Sequence, residues 1–409
     1  MNSFCQLSIY FLSGLIFYSC STAKTSENSV SIDDLEVIKI NLSEARKGKL
    51  SEFFEPMIEY IWLKDDSEDA QLSAGLHKIH FYKDKILTLD IYGCHCIKVF
   101  DKSGQYLSKI RAYGEGPGKY LDLDNFMVVN DEVLVMGVYP PKLIWFSLEG
   151  DFLREEKLKS NITAGVFLDS LERYHFSSSP YRTEKYIVHG MNSDFRDTTN
   201  YFPTIEGRYY GDFSGRNNYI LSGEDKYFTL AFQDTVFKLK GDNYIPKLVF
   251  DFGKYRQDLE EFKRKLDEVD PMVRLDFLNK KSKLYFVPNS SLILSEKYFF
   301  SSFMYEGISF NVFYDRKKQE TTVWNWGIEN DLDEGYNPYT IQSVFDEGRH
   351  AGLRISGVEL FDMLEMKREE LGNEAFENYI QGKGKRFAEV ATAAKESENP
   401  VLIIYTVKK

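Results

Sequence analysis

The stretch Arg111-Ala112-Tyr113-Gly114-Glu115-Gly116-Pro117-Gly118-Lys119-Tyr120 constrains this chain more than any other. It follows the apolar and polar alternation of Tyr106-Leu107-Ser108-Lys109-Ile110, so it reads as a strand ending in a tight loop whose glycines take φ > 0. Blocks of similar layout lie on both sides. One runs Lys85-Ile86-Leu87-Thr88-Leu89-Asp90, then Ile97-Lys98-Val99-Phe100-Asp101, then Ser103-Gly104 and the run ending at Ile110. The other runs Val133-Leu134-Val135-Met136-Gly137, then Leu143-Ile144-Trp145-Phe146, then Glu149-Gly150 and Asp151-Phe152-Leu153. Asp84 and Asp131, each in the turn before its block, stand 47 residues apart.

Short strands repeating at that interval are the pattern of four-stranded propeller blades. Ser103-Gly104 and Glu149-Gly150 then supply the hairpins between the outer two strands. Ile86-Leu87 and Val133 to Met136 are apolar on both faces, as sheets covered from both sides require. Fainter copies follow at Leu171 to Phe176 with Tyr186 to His189, at Asn218 to Gly253, and at Ser291 to Trp326. The fold class expected is therefore all-β, a β-propeller with helical insertions.

Two stretches break the β pattern. Leu259, Phe262, Leu266 and Val269 recur at helical spacing and predict one amphipathic helix inside an insertion near 254–279. Leu360, Met363, Leu364 and Met366 do the same in a second insertion near 357–396, where Lys385 to Lys395 forms a further helix. The chain ends on the apolar run Asn399 to Val407. Pairing that run with Val37 to Leu42 or with Met57 to Leu63 would close the ring and remove two exposed edges.

Size and composition narrow the class. With 409 residues, 43% hydrophobic and 15% aromatic, the chain is long enough for one large all-β domain with its own core. A net charge of −12 and the lack of a basic stripe speak against nucleic acid as a partner. Residues 1–20 read as an export signal, with Leu7 to Tyr18 as its apolar run. Ser19-Cys20 at the end of that run resembles a bacterial lipobox, which would make Cys20 the lipidated anchor. Residues 21–34 are small and polar, a flexible tether ahead of the folded domain at 35–409. No acidic cluster follows the cysteine, so an outer-membrane lipoprotein facing the periplasm is expected rather than one displayed on the surface.

The loop Gly114-Glu115-Gly116-Pro117-Gly118-Lys119-Tyr120, the pair Asp234-Thr235-Val236-Phe237 and Asp251-Phe252-Gly253, and the closing Asn399-Pro400-Val401-Leu402 together resemble a known family. They are similar to the six-bladed β-propeller lipoproteins of Bacteroidetes, related in architecture to NHL-type propellers. The resemblance covers nearly all of the chain beyond the anchor and implies six blades, closed by the N- and C-terminal strands, and a lipid anchor. It implies no reaction, because the family is largely without assigned function. Lys119 stands where the family shows Glu, so a carboxylate role at that place does not carry over.

Candidate site residues come from the loops that join strands. Gly114, Gly116, Pro117 and Gly118 are explained by backbone geometry alone and are expected to be structural. Arg111, Tyr113, Lys119 and Tyr120 are candidates for a binding rim. Trp324 and Trp326, with Tyr336 and Tyr339 near Asp331 and Asp333, are candidates for stacking on sugar rings, although core packing explains aromatics equally well. Cys94-His95-Cys96 invites a metal reading, yet two strand positions offer only two sulfurs, and a structural zinc site wants four ligands. No metal and no cofactor are expected, and with only these two cysteines beyond the anchor no disulfide framework is expected either. Nucleophile elbow, phosphate loop and zinc-protease helix signatures are missing. The reading is a membrane-anchored binding module for a glycan, a peptide or a protein. A channel-based hydrolase or lyase using a divalent cation is the alternative, and it needs carboxylates and histidines converging at the channel mouth.

Overall fold

The computed structural model describes residues 35–73, 76–159, 162, 165–178, 185–206, 219–222, 224–230, 233–285, 293–339, 341, 343–345 and 350–409. The export signal, Cys20 and the tether lie outside the described residues.

Three strands open the fold, the short β1 (Glu36–Lys39) and β2 (Arg46–Lys49) and the longer β3 (Phe54–Trp62). Then come β4 (Leu76–Tyr82), β5 (Lys85–Asp90), β6 (Cys96–Asp101) and β7 (Tyr106–Ile110), an antiparallel sheet in chain order. The next sheet, β8 (Leu123–Val129), β9 (Glu132–Gly137), β10 (Lys142–Ser147) and β11 (Phe152–Lys157), repeats it. A third holds β12 (Gly165–Leu168), β13 (Tyr174–Ser177), β14 (Tyr186–Met191) and β15 (Thr198–Pro203), and a fourth β16 (Tyr219–Ser222), β17 (Asp225–Thr229), β18 (Thr235–Lys240) and β19 (Asn243–Asp251). Helices α1 (Leu259–Asp267) and α2 (Arg274–Lys281) precede the fifth, which holds β20 (Leu284–Tyr285), β21 (Ile293–Leu294), β22 (Tyr298–Tyr305), β23 (Ile308–Asp315) and β24 (Glu320–Glu329). The sixth contains β25 (Ser343–Phe345), β26 (His350–Ser356) and β27 (Pro400–Val407), with α3 (Gly357–Leu371), α4 (Asn373–Gln381) and α5 (Lys385–Ala393) between β26 and β27.

Apolar side chains on both faces of each sheet divide the core into seams, each shared by two consecutive sheets. Leu87, Val99, Phe126 and Val135 fill the first seam, and Met136, Trp145, Val166 and Phe176 the second. Phe167, Val188, Tyr219 and Phe228 fill the third, and Leu248, Phe250, Phe299 and Val312 the fourth. Phe300, Phe313, Trp324, Leu353 and Val401 join the fifth sheet to the sixth. Ile61, Leu402 and Ile404 of the sixth sheet meet Ile86 and Phe100 of the first. The series returns to its start, so the sheets stand in a ring, a propeller-type fold.

The ring closes through β27, which pairs antiparallel with β26 on one side and with β3 on the other, Ile403 lying opposite both Leu353 and Tyr60. Of the two N-terminal partners left open above, Met57 to Leu63 is the one used. Residues Val37 to Leu42 go elsewhere: β1 lies parallel along the outer edge of β19, and β2 parallel along β24. The N-terminal chain thus covers the edges of three successive sheets, where unpaired backbone groups would otherwise invite association. Asn399 ties the closure down, its side chain accepting from Leu72 N–H (2.7 Å) and donating to the carbonyls of Leu63 and Ala70 (2.9 Å each).

Two expectations need correction. The runs with which each block begins, at Lys85 and at Val133, are the second strands of their sheets, not the first; β4 and β8 precede them. Those first strands carry Lys78, His80, Asp124 and Asn125 among their apolar residues, which hid them from an apolar pattern. The single helix expected across Leu259 to Val269 and beyond is two. Asp270-Pro271 divides it, since proline has no N–H to continue the ladder and starts a new turn capped by Asp270, whose side chain accepts from Met272 N–H (2.9 Å). In the second insertion Gly372 separates α3 from α4; Leu360 and Leu364 are buried, whereas Met366 is exposed. Among the described residues no helix is long and apolar enough to cross a membrane.

Candidate functional site: the loop end of the ring

In an antiparallel sheet taken in chain order, the turn from second to third strand and the exit from the fourth leave by the same end. The Cys94-His95-Cys96 turn, the glycine-rich loop, the α1 and α2 insertion and the α3 to α5 insertion therefore all lie at that end. The loop end also gathers exposed aromatic side chains. Tyr92, Tyr113, Tyr139, Trp326 and Tyr339 are exposed at the loop end, and among the described residues Phe152, on an outer strand, is the one other exposed aromatic. At the other end the turns carry ion pairs that join neighbouring sheets, such as Lys83 to Asp131 (2.6 Å) and Arg173 to Asp242 (2.9 Å).

The glycine-rich loop is built from its backbone outward. Gly114, Gly116 and Gly118 take φ of 138°, 108° and 68°, as the sequence predicts, and Pro117 lies between the last two. Gly114 N–H donates to the Tyr120 carbonyl (2.9 Å) and Tyr120 N–H to the Ala112 carbonyl (3.0 Å), so the loop closes on itself. The next sheet holds it: Glu155 accepts from Gly118 N–H (2.7 Å) and from Lys142 (3.1 Å), and Lys142 also donates to the Gly116 carbonyl (3.1 Å). The Gly118 N–H and then the Lys142 charge hold the Glu155 carboxyl below its ordinary range, against the effect of burial.

The rim candidates separate into exposed and buried. Arg111 is exposed and donates from Nε to the Cys94 carbonyl (2.9 Å), with its guanidinium 5.5 Å from the Tyr113 ring. The half-exposed Tyr113 ring packs 5.1 Å from that of His95. Lys119 is exposed. Tyr120 is not a rim residue: it is buried in the seam between the first two sheets, its hydroxyl donates to the His95 carbonyl (2.8 Å), and burial pushes that hydroxyl up to about 12. Trp324 is likewise core, fully buried against Phe53 and Phe313, so it cannot reach a ligand.

Trp326, two residues on, points outward because β24 bulges there. Between the β2 pairings Arg46 to Trp324 and Gly48 to Ile328, β24 carries more residues than its partner, and Trp326 and Gly327 absorb the excess with φ of 64° and 82°. Trp326 is 73% and Tyr339 77% exposed, which leaves both rings free to stack. The Tyr339 ring lies beside Gly327, and the backbone beneath is fixed by Ile328 N–H to the Pro338 carbonyl (2.8 Å) and Asn311 to the Tyr339 carbonyl (3.0 Å). Tyr336 is partly buried against the core. Asp331 accepts from the Ser51 side chain (2.5 Å), and Asp333 from the hydroxyl of Tyr60 (2.7 Å).

Tyr92 and Tyr139 escaped the sequence reading, yet a signal existed. Both follow a second strand, and they stand 47 residues apart, one repeat, at the same phase of their blocks. Cys94 and Cys96 also depart from expectation, since they form a disulfide across a turn in which His95 takes φ of 50°. Only Cys96 lies on a strand, so the two sulfurs do not present a strand face to a metal. Among the described residues, no three His, Cys, Asp or Glu side chains gather where they could hold a metal ion.

Ring, seams and aromatic loop end define the class: an all-β, propeller-type protein with one chemically distinct face. The chain belongs to the family described as a domain of unknown function, DUF4934, whose model matches residues 35–406. A protein of Bacteroides fragilis whose description is that of an exported protein has a similar solved structure, with a TM-score of 0.70 at 16% identity over 92% of this chain and 100% of the other. That likeness shows a shared fold. A DUF4221 family member from Bacteroides vulgatus matches with a TM-score of 0.46 at 10% identity, over 87% of this chain and 97% of its own. No curated protein matches the sequence.

Proposed function

We propose that this chain is an exported, six-bladed propeller of NHL-like architecture, tethered by a lipid on Cys20 to the outer membrane and facing the periplasm, that binds a glycan or peptide on its loop end. The observation that carries the reading is the grouping of surface aromatics: among the described residues Tyr92, Tyr113, Tyr139, Trp326 and Tyr339 are exposed together at the loop end. Aromatic rings with a polar edge suit sugar faces and peptide side chains, and they dominate binding energy where they cluster. The description of the Bacteroides fragilis relative as exported agrees with the signal at residues 1–20.

The test is a panel of neutral oligosaccharides and unstructured peptides presented to the full-length chain in detergent, read by intrinsic tryptophan fluorescence and, for the variants, by isothermal titration calorimetry. Exposed Trp326 is expected to report binding, and Trp326→Ala with Tyr339→Ala to weaken it at least about tenfold, as for a pair of aromatic anchors. Binding unaffected by substitutions at both Trp326 and Tyr113 would remove the loop end as the site. Loss of palmitate incorporation in Cys20→Ala tests the anchor.

A further inference from the structure

The Cys94 to Cys96 bond contributes little as a staple. It encloses a single residue, and the gain in chain constraint from a disulfide shrinks with the loop it closes. The turn is also held without it. Arg111 Nε donates to the Cys94 carbonyl (2.9 Å), Tyr120 Oη to the His95 carbonyl (2.8 Å), and Gly93 N–H to Asp90 (2.8 Å). The two sulfur-bearing residues differ in access, since Cys96 is fully buried and Cys94 is partly exposed at the aromatic end. Access decides which sulfur of a disulfide an incoming thiolate can attack.

We propose that Cys94 and Cys96 form a thiol–disulfide exchange site whose partner is a dithiol, with Cys94 the sulfur attacked. One thiolate of the dithiol bonds to Cys94 Sγ, the bond to Cys96 breaks, and its electron pair leaves on Cys96 Sγ, which is protonated to the thiol. The second thiolate of the dithiol then attacks its own mixed-disulfide sulfur and releases Cys94. The partner ends as a disulfide, this pair as two thiols, and two electrons have moved. Opening the bond removes the covalent restraint across His95, whose ring packs against Tyr113, while the hydrogen bonds from Arg111 and Tyr120 keep the turn in place. The exchange chemistry stands whether or not a glycan binds at the aromatic face.

The experiment uses the oxidised full-length chain in detergent, treated with dithiothreitol without denaturant, alkylated, and mapped by peptide mass spectrometry so that Cys5 and Cys20 are read separately. Both Cys94 and Cys96 are expected to become labelled while the circular dichroism spectrum keeps its β signature. Cys96→Ser is expected to release through Cys94 one equivalent of chromophore from dithiobis(nitrobenzoate) beyond what Cys5 and Cys20 release when Cys94→Ser and Cys96→Ser are combined, at least about tenfold faster than Cys94→Ser does through the buried Cys96. Resistance of the wild-type bond until denaturant is added would overturn the proposal. So would two free thiols at 94 and 96 in protein purified under air, or a folded Cys96→Ser whose Cys94 stays unreactive.

Discussion

Gly48 and Trp324 illustrate how little room single residues have in the seams. A Cβ on Gly48 would lie 1.9 Å from Trp324 Cδ2, so Gly48→Ala forces the indole or β2 to move. Overpacking of this kind is expected to lower stability by about 1–3 kcal/mol, measurable by denaturant titration. His80 makes a second prediction. Burial, helped by the Lys78 charge, pushes its imidazole down from 6.5 to about 3. The folded chain therefore refuses a proton that the unfolded chain accepts, so this contribution is complete above pH 6.5 and is lost as pH falls from there toward 3. His80→Phe should flatten the stability profile in that window, and an unchanged slope would refute it. Neither effect can be read along the chain, because Trp324 beside Gly48 and Phe126 beside His80 come from distant segments, and only Lys78 is local.

Strands and loops carried more of their structure in the local order of residues. The glycine-rich loop was legible because positive φ is a property of glycine itself, and the second and third strands because alternating apolar runs mark sheets buried on both faces. The first strands were not, since Lys78 and His80 interrupt the pattern and are compensated only by the next sheet: Lys78 donates to Asn125 Oδ1 (2.9 Å) and the Phe126 carbonyl (2.7 Å). The course of β1 was not legible either. It is fastened by Glu36, which accepts from Arg316 Nε (2.9 Å) and Nη2 (2.7 Å) and lies 3.2 Å from Lys247. Burial pushes that carboxyl up, but the Arg316 and Lys247 charges and hydrogen bonds outweigh it and hold it below 4.5. Glu36→Gln is expected to cost about 1–3 kcal/mol at neutral pH, with faster amide exchange along β1. That difference from wild type should be complete above pH 4.5 and shrink as pH falls below it, where wild-type Glu36 takes up its proton.

At the scale of the molecule, stability depends on closing the ring. Strand β27 completes hydrogen bonding to both β26 and β3, and its side chains fill seams on either side. Ile403→Pro removes a donor in the centre of that strand and should cost at least about 3 kcal/mol, while a chain ended before Pro400 should lose its cooperative thermal transition. A truncated chain that still melts cooperatively would show that β27 is dispensable. Turns, strand runs, the helix-forming insertions and the closing C-terminal run follow from short-range rules: alternation, positive φ and helical periodicity act over a few residues and can be read in order. Which N-terminal segment meets β27, why Trp324 is core while Trp326 is exposed, and how Tyr113 comes to rest on His95 are matters of distant segments brought into contact. Burial and pairing are relations between parts of the chain far apart in sequence, so the folded ring alone settled them.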